Sequence, residues 1–368
     1  MQSLSSREKQ SLQFETVLIL QGGGSLGAYE CGVYKALHRH GIEFDIIGGT
    51  SIGAVNASII VGSKSDEPAK ALEDFWLDLA EGITPPGLPN DIRPYFAAMN
   101  SAIFGNPKVF FPKWFFPSTD YFMPYFWQYL YDITPLKNTL NQYVDFQKIR
   151  NPQRPRLVVT STDVQNAKPS VFDSKYDKIE AEHVLASAGY PFYGISWTMK
   201  SGKYLWDGTL LSNTPLREVI NASPKHDKKV YVVDLFPKMQ AEIPNNMFEV
   251  WHRARDIMYA DKTEHNVHMS RIITRYLKLI REMHDMISSS TLDEKTKSRF
   301  ERLEQEYHRL ASERGAVIDQ IIKIQRLEHH HFLFEDADFS ITTIKDLISS
   351  GEKDAKEVLA KNTLEIDQ

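Results

Sequence analysis

Ser51 stands in the run Gly49-Thr50-Ser51-Ile52-Gly53, a Gly-x-Ser-x-Gly spacing that presents a serine hydroxyl as a candidate nucleophile. Strand character leads in (Phe44, Ile46, Ile47) and a helix-like run leads out (Ala54, Val55, Ala57, Ile59, Ile60, Val61). In that context Gly49 and Gly53 permit a sharp turn with the hydroxyl at its tip and a helix N-terminus behind it. The spacing alone is common by chance, so its weight rests on two partners. The first is Gly22-Gly23-Gly24-Ser25-Leu26-Gly27, between a strand-like run at 16–20 and a helical pattern of Tyr29, Val33, Ala36 and Leu37. Backbone N–H groups in such a loop favour an anion, and in acyl transfer that anion is the oxygen of the tetrahedral intermediate. The second is Asp207-Gly208, after the short strand Tyr204-Leu205-Trp206 and before Asn213-Thr214-Pro215. A carboxylate at a strand end, freed by Gly208, can reach back to a serine.

Each piece has a plainer reading. Ser51 can be a helix N-cap. Asp207-Gly208 can be a hairpin turn. Gly22-x-Gly24-x-x-Gly27 also fits a dinucleotide fingerprint, with Glu43 or Asp45 as the acid for a ribose. That last alternative, a dinucleotide binder or non-catalytic scaffold, accounts for the loop but for neither Gly49–Gly53 nor Asp207-Gly208.

Taken in order, the glycine loop, the serine elbow and the Asp-Gly resemble the patatin-like phospholipases, a family of lipid acyl hydrolases. Further stretches look like that family: residues 157–163, Ala186-Ser187-Ala188-Gly189-Tyr190-Pro191, and Asn213-Thr214-Pro215. The resemblance runs over roughly residues 14–236. It implies a three-layer α/β fold with a mainly parallel central sheet. It implies Ser51 as nucleophile, Asp207 as its acid–base partner in a Ser–Asp dyad, and Gly22, Gly23 and Gly24 as the oxyanion loop. Gly27, Gly49, Gly53 and Gly208 support those motifs. Many members carry a basic residue where this chain has Leu26, which weakens the case for a phosphate head group bound there.

The chemistry stands without the family. A serine hydroxyl is a weak nucleophile and needs a base. A carboxylate near its reference pKa of about 4 is a poor base at neutral pH, so burial is expected to raise Asp207. The proton moves from Ser51 to Asp207 and on to the leaving alcohol; water then hydrolyses the acyl-enzyme. Phospholipid, lysophospholipid, neutral glyceride and thioester all fit such a site. No cofactor and no metal are needed.

These motifs must be held by a scaffold. Strands are expected at 16–20, 43–48, 156–162, 169–173, 203–206 and 229–235. Helices are expected at 28–40, 52–62, 67–81, 135–143, 179–187 and 212–222, and the alternation argues for a parallel sheet with helices on both faces. The expected division is a catalytic domain at 1–240, with an insertion at about 92–131, and a mainly helical extension at 241–368. In the insertion, fifteen of the chain's aromatic residues fall between Tyr95 and Tyr131, while prolines at 94, 107, 112, 117 and 124 break regular structure. The segment reads either as an extra layer on the core or as a cap and acyl-chain wall over Ser51 that touches a membrane surface. In the extension, helical stripes at 247–286 and 294–327 predict a hairpin with core-facing apolar residues, followed by a further helical run at 341–360. His329-His330-His331 invites a metal, but a strand there would turn neighbouring rings to opposite faces. Asp163 reads as structural and Cys31 as a core residue. The net charge of −5 marks no nucleic-acid partner. A lone cysteine and the lack of a signal-peptide pattern lead us to expect a cytoplasmic protein, at most peripheral to a membrane. The oligomeric state is left open.

Overall fold

Val17 and Ile19 pack with one set of buried side chains, Leu18 and Leu20 with another. Successive strand residues point to opposite faces, so β1 (Phe14–Leu20) must be covered on both sides. That is why its sequence is a continuous apolar run and not an alternating one. The computed structural model describes residues 14–366 except 86, 116–126, 152, 241–242, 291–292, 315 and 328–334.

Five strands run parallel in the order β10 (Ile318–Gln325), β9 (Asp227–Asp234), β1, β2 (Ile46–Thr50) and β5 (Arg156–Asp163). Beyond β5 the sheet turns antiparallel through β6 (Lys168–Asp173), β7 (Thr198–Lys200) and β8 (Lys203–Asp207). A two-residue ribbon, β3 (Phe111–Pro112) with β4 (Tyr131–Asp132), lies apart from it. One face is covered by α1 (Gly27–Arg39), α2 (Ile52–Gly62), α3 (Pro68–Ala80) and α11 (Ile341–Ile366). α5 (Thr134–Tyr143) and α6 (Ala181–Ala188) extend that layer. Short α7 (Thr209–Ser212) follows β8, and α8 (Leu216–Ala222) and α9 (Met247–Ser288) cover the other face. The result is the expected three-layer arrangement with a mainly parallel sheet.

Three departures from the sequence reading have physical causes. The expected helix at 294–327 stops early: α10 covers Glu294–Arg314, and Ile318–Gln325 is the edge strand β10. Val317, Ile318, Ile321 and Ile324 fit both periods, and a short apolar run cannot be assigned by periodicity alone. Within the aromatic insertion, Arg93–Phe104 forms α4, with Pro94 in its first turn. Proline there lacks only an N–H that a helix start leaves unbonded anyway, so it opens the helix instead of breaking it. Finally, the apolar stripes of α9 and α10 are largely exposed: Tyr276 by 64%, Met283 by 52% and Leu303 by 60%. α9 instead buries Thr263, Val267, Ser270 and Thr274 against the sheet.

Docking of α11 on α1 is close because glycines meet at the crossing. A Cβ at Gly32 would lie 1.9 Å from the Ile348 carbonyl oxygen, and one at Gly351 2.1 Å from that of Tyr29. The expected strand near 329–334 lies outside the described residues.

Candidate active site

β5 creates the site by pairing two strands end to end. Its one edge is taken by β6. Along the other, β2 runs parallel and ends with Thr50 beside Thr160, while β8 runs antiparallel and ends with Asp207 beside Ser161. The next residue after β2 and the last residue of β8 therefore meet where the two strands face each other. Those residues are Ser51 and Asp207.

Ser51 has φ 55° and ψ −125°, a left-handed conformation that costs a non-glycine residue of order 1–3 kcal/mol. The turn persists because its surroundings fix it. Ser51 N–H donates to Ser187 Oγ at 2.8 Å, and that hydroxyl donates to the Thr160 carbonyl at 2.6 Å. Thr50 Oγ1 donates to the Ser212 carbonyl at 2.8 Å. A Cβ at Gly49 would lie 2.2 Å from the Gly53 oxygen, and one at Gly53 2.5 Å from the Leu20 oxygen. The two motif glycines thus let β1, β2 and the start of α2 pack backbone on backbone. Ser51 holds the N-cap position of α2, yet its side chain makes no capping hydrogen bond.

Asp207 is fully buried. Its N–H donates to the Gly189 carbonyl at 3.0 Å, and Thr162 Oγ1 donates to its carbonyl at 2.9 Å. Oδ1 accepts the Thr209 N–H at 2.8 Å, while Oδ2 is buried with no hydrogen-bond partner of ordinary geometry. Burial pushes the carboxyl up to about 6, against the opposing pull of the nearby Ser51 hydroxyl and of Thr209. The hydroxyl is close enough to favour the carboxylate, though it does not close a full bond to Oδ2. A buried, half-satisfied carboxylate beside a strained serine is an arrangement expected at a reacting centre.

The glycine loop adjoins Ser51. A Cβ at Gly22 would lie 2.6 Å from Asn213 Oδ1, 2.7 Å from Thr209 Oγ1 and 2.9 Å from Ser51 Cβ, so only glycine fits. Gly22 N–H is already donated to Asn213 Oδ1 at 3.1 Å, and Asn213 Nδ2 donates back to the Gly22 carbonyl at 3.2 Å. Thr209 Oγ1 donates to the same Oδ1 at 3.1 Å. Among the described residues, the N–H groups of Gly23 and Gly24 have no acceptor. They open the short turn Gly24–Leu26 that leads into α1 at Gly27.

Behind the loop sits a polar layer that sequence reasoning missed. Gln21 N–H donates to Glu30 Oε1 at 2.6 Å, and Asn56 Nδ2 to Glu30 Oε2 at 2.8 Å. Burial pushes the Glu30 carboxyl up to about 8. Gln21 Nε2 donates to Thr263 of α9 at 3.0 Å. Ser25 Oγ donates to the Glu335 carbonyl at 2.9 Å, and a Cβ at Gly24 (φ 59°) would lie 2.3 Å from the Asp336 oxygen. Arg255 of α9 holds that 335–337 turn through Glu335 and Asp336, each at 3.0 Å, and also reaches Asp256 at 2.9 Å. The partial signals were Asn213 in Asn-x-Pro and Ser187 in Ala-Ser; nothing local marked Arg255 or Glu335.

Of the other candidates, Asp163 is structural: Oδ1 accepts the N–H groups of Gln165 and Asn166 at the β5–β6 turn. Cys31 is buried in the core. Glu43 and Asp45 precede β2, and Asp45 Oδ2 accepts the Thr16 N–H near the start of β1. The glycine loop follows the far end of that parallel strand, so these acids do not stand where a dinucleotide ribose would need them.

Comparison with known proteins speaks to the family of the chain. A family model described as "Patatin-like phospholipase" covers residues 18–220, and a second, described as "Patatin phospholipase", covers 257–366. "Lysophospholipase nte1" of Aspergillus terreus is 57% identical over 42 residues, 11% of this chain and 3% of that protein. "Patatin-like phospholipase domain-containing protein 7" of Mus musculus is 39% identical over 67 residues, 18% of this chain and 5% of that one. The matched segments are therefore small parts of much longer relatives. The solved structure of VipD from Legionella pneumophila aligns over 98% of this chain and 69% of its own, at 13% identity and a TM-score of 0.39. The first family model takes in more than half of the chain, from β1 and the glycine loop through Ser51 to Asp207 and α8, and so the chain belongs to the patatin-like phospholipase family.

Proposed function

We propose that the chain hydrolyses lipid acyl esters through an acyl-enzyme on Ser51, with Asp207 as the sole acid–base partner. The observation that carries this reading is the pairing of a strained, uncapped serine with a buried carboxylate whose second oxygen has no hydrogen-bond partner. In the first step Ser51 Oγ attacks the ester carbonyl carbon and its proton passes to Asp207 Oδ2. The carbonyl oxygen becomes an oxyanion, for which the Gly23 and Gly24 amides are the donors; Gly22, already bonded to Asn213, shapes the loop. Collapse breaks the ester C–O bond, and the leaving alcohol takes the proton from Asp207. Water then attacks the acyl-serine, Asp207 accepts its proton and returns it to Ser51, and the fatty acid leaves. A pKa of about 6 suits both halves of this cycle, because the group is mostly ionised at neutral pH and still basic enough to hold a proton.

The substrate reading rests on family membership and on the exposed apolar side chains of α4, among them Tyr95, Phe96 and Met99. α4 packs on the 335–337 turn that backs the glycine loop. A bilayer met by that face would lie against the elements that back the glycine loop. No helix among the described residues is long and apolar enough to cross a membrane. The residue at the cationic position of many relatives is the buried Leu26, so head-group charge is not read there.

The test is labelling with a fluorophosphonate probe, located by peptide mass spectrometry, followed by turnover of lysophospholipid and of a short soluble ester. Label on Ser51, lost in Ser51→Ala and slowed at least tenfold in Asp207→Asn, is the expected result. A folded wild type labelled elsewhere, or labelled equally well in Asp207→Asn, would refute the dyad.

A further inference from the structure

The outer surface of α9 carries a pattern that the monomer does not use. From Met269 to Met286 apolar residues recur at alternating steps of three and four: Met269, Ile272, Tyr276, Leu279, Met283, Met286. In a heptad these are the a and d positions over three repeats. The e positions are apolar as well: Ile273, Ile280 and Ile287. Apolar residues at a, d and e form a stripe wide enough to bury against another helix. Yet Tyr276, Leu279, Met283 and Met286 are 64%, 53%, 52% and 70% exposed. The opposite side of the helix faces the sheet through Thr263, Val267, Ser270 and Thr274. α10 does not cover the stripe, because it meets α9 through His284, whose ring stacks on Tyr307 at 4.6 Å. A helix that buries its hydroxyls and exposes its methyl groups has left a surface for something else.

The flanking charges say what that is. The g positions beside the stripe are His268, Arg275, Glu282 and Ser289. Arg275 and Glu282 are both exposed, and neither has an ion-pair partner among the described residues. When the helix is paired with an antiparallel copy of itself, Tyr276 packs against the copy's Leu279, Ile272 against Met283, and Met269 against Met286. All six apolar layers fall in that one register. In the same register g faces g, which sets Arg275 against Glu282 of the copy twice, once on each side of the dyad. The e positions then face each other as Ile273 and Ile280. A parallel pair sets g against e, leaving Arg275 and Glu282 opposite isoleucines. The stripe also keeps a strict seven-residue period, the period of a supercoiled pair. An interfacial helix lying on anionic lipid would favour basic residues throughout the flanks, whereas Glu282 and Asp285 are acidic.

We infer that α9 is a homodimerisation helix: two copies of the chain associate through an antiparallel coiled coil of residues 269–287, centred between Leu277 and Lys278, with reciprocal Arg275–Glu282 pairs. The catalytic bodies then lie on opposite sides of the helix pair, since each α9 binds its own sheet through the other face. An isologous contact of this kind closes as a dimer and does not propagate.

The experiment is sedimentation equilibrium of the full chain at concentrations from about 0.1 to 100 μM, with far-UV circular dichroism as the check on folding. Wild type is expected to be a dimer at the upper end. Leu279→Glu, an exposed position whose change leaves the fold intact, is expected to be monomeric throughout. Arg275→Glu and Glu282→Arg should each weaken the dimer by about tenfold or more, because each turns both attractive contacts into repulsive ones. Mixed together, these two variants should pair with each other, since opposite charges again meet at both contacts; only the antiparallel register makes that forecast. A wild type that stays monomeric at 100 μM overturns the inference. So does a dimer that survives Leu279→Glu, or charge variants that fail to rescue each other. Wild-type binding to phosphatidylcholine–phosphatidylglycerol vesicles that Leu279→Glu abolishes, without any dimer in solution, would assign the stripe to a membrane instead.

Discussion

The Ser51 elbow and the outer face of α9 use side chains in opposite ways. At the elbow, polar groups are buried and nearly all are tied. Ser187, Thr160 and Asn213 each bridge two segments, Thr209 ties Asn213 in place, and one carboxylate oxygen of Asp207 is left without a partner. On α9, apolar groups are exposed and tied to nothing, although the pattern that spaces them is just as regular. A reacting centre needs atoms fixed against one another before substrate arrives. A contact surface needs only area and register, because its partner supplies the rest. The contrast predicts that elbow substitutions act on the isolated chain, and α9 substitutions only where copies meet.

That contrast is open to measurement, beginning with the nucleophile position. Ser51→Ala should lower short-ester hydrolysis by about a thousandfold or more, with no change in circular dichroism. In the wild type the rate should fall as pH drops below about 6, because protonation of Asp207 removes the base. An acid limb near the ordinary carboxylate value of about 4 would show that Asp207 is not the titrating group. Arg255→Met removes the cation from among Glu335, Asp336 and Asp256; leaving such groups buried and unpaired typically costs about 3–5 kcal/mol. Urea unfolding would measure that loss, and hydrolysis should fall with it, since the same turn backs Gly24 and Ser25. Ser187→Ala strands the Ser51 N–H and should cost about 1–3 kcal/mol, with a lower kcat and little change in KM. At the small end, Met283→Ala should change unfolding free energy by less than about 0.5 kcal/mol at concentrations where the chain is monomeric. A larger loss there would mean that the stripe already has a partner within the chain.

The site was legible where its chemistry depends on backbone shape. Gly22, Gly49, Gly53 and Gly208 each stand where a Cβ would strike a neighbour within 3 Å, so the residue type itself records the approach. Ser51 and Asp207, the proposed nucleophile and acid, stood out because they sit beside those glycines. Ser187, Asn213 and Thr209 were harder, since a hydroxyl or amide that ties a turn or loop in place looks like any other polar residue until the segments are placed. Arg255 and Glu335 were out of reach: Glu335 meets the loop from more than three hundred residues away, and Arg255 acts only by holding Glu335. The parallel order was visible in the alternation of elements, but β10 was not, because residues 317–324 satisfy both periods. Pro94 hid α4 by opening it.

The edge position of β10 also bears on how the chain is made. β9 ends at Asp234, yet the strand that pairs with its outer edge begins more than eighty residues later, at Ile318. At 5–20 residues per second a ribosome would leave that edge open for roughly 4–17 seconds, with Val230 and Val232 available to any other strand. Lys229 at its start is the kind of charge that discourages such pairing during synthesis, whereas Lys228 is buried and ion-paired with Glu15. The 335–337 turn that braces the glycine loop emerges later still, so a nascent chain is expected to gain its reactive serine as one of its last folded features. Ribosome-stalled chains exposing residues up to 300 or up to 360 would show this by fluorophosphonate labelling of the second set and not the first.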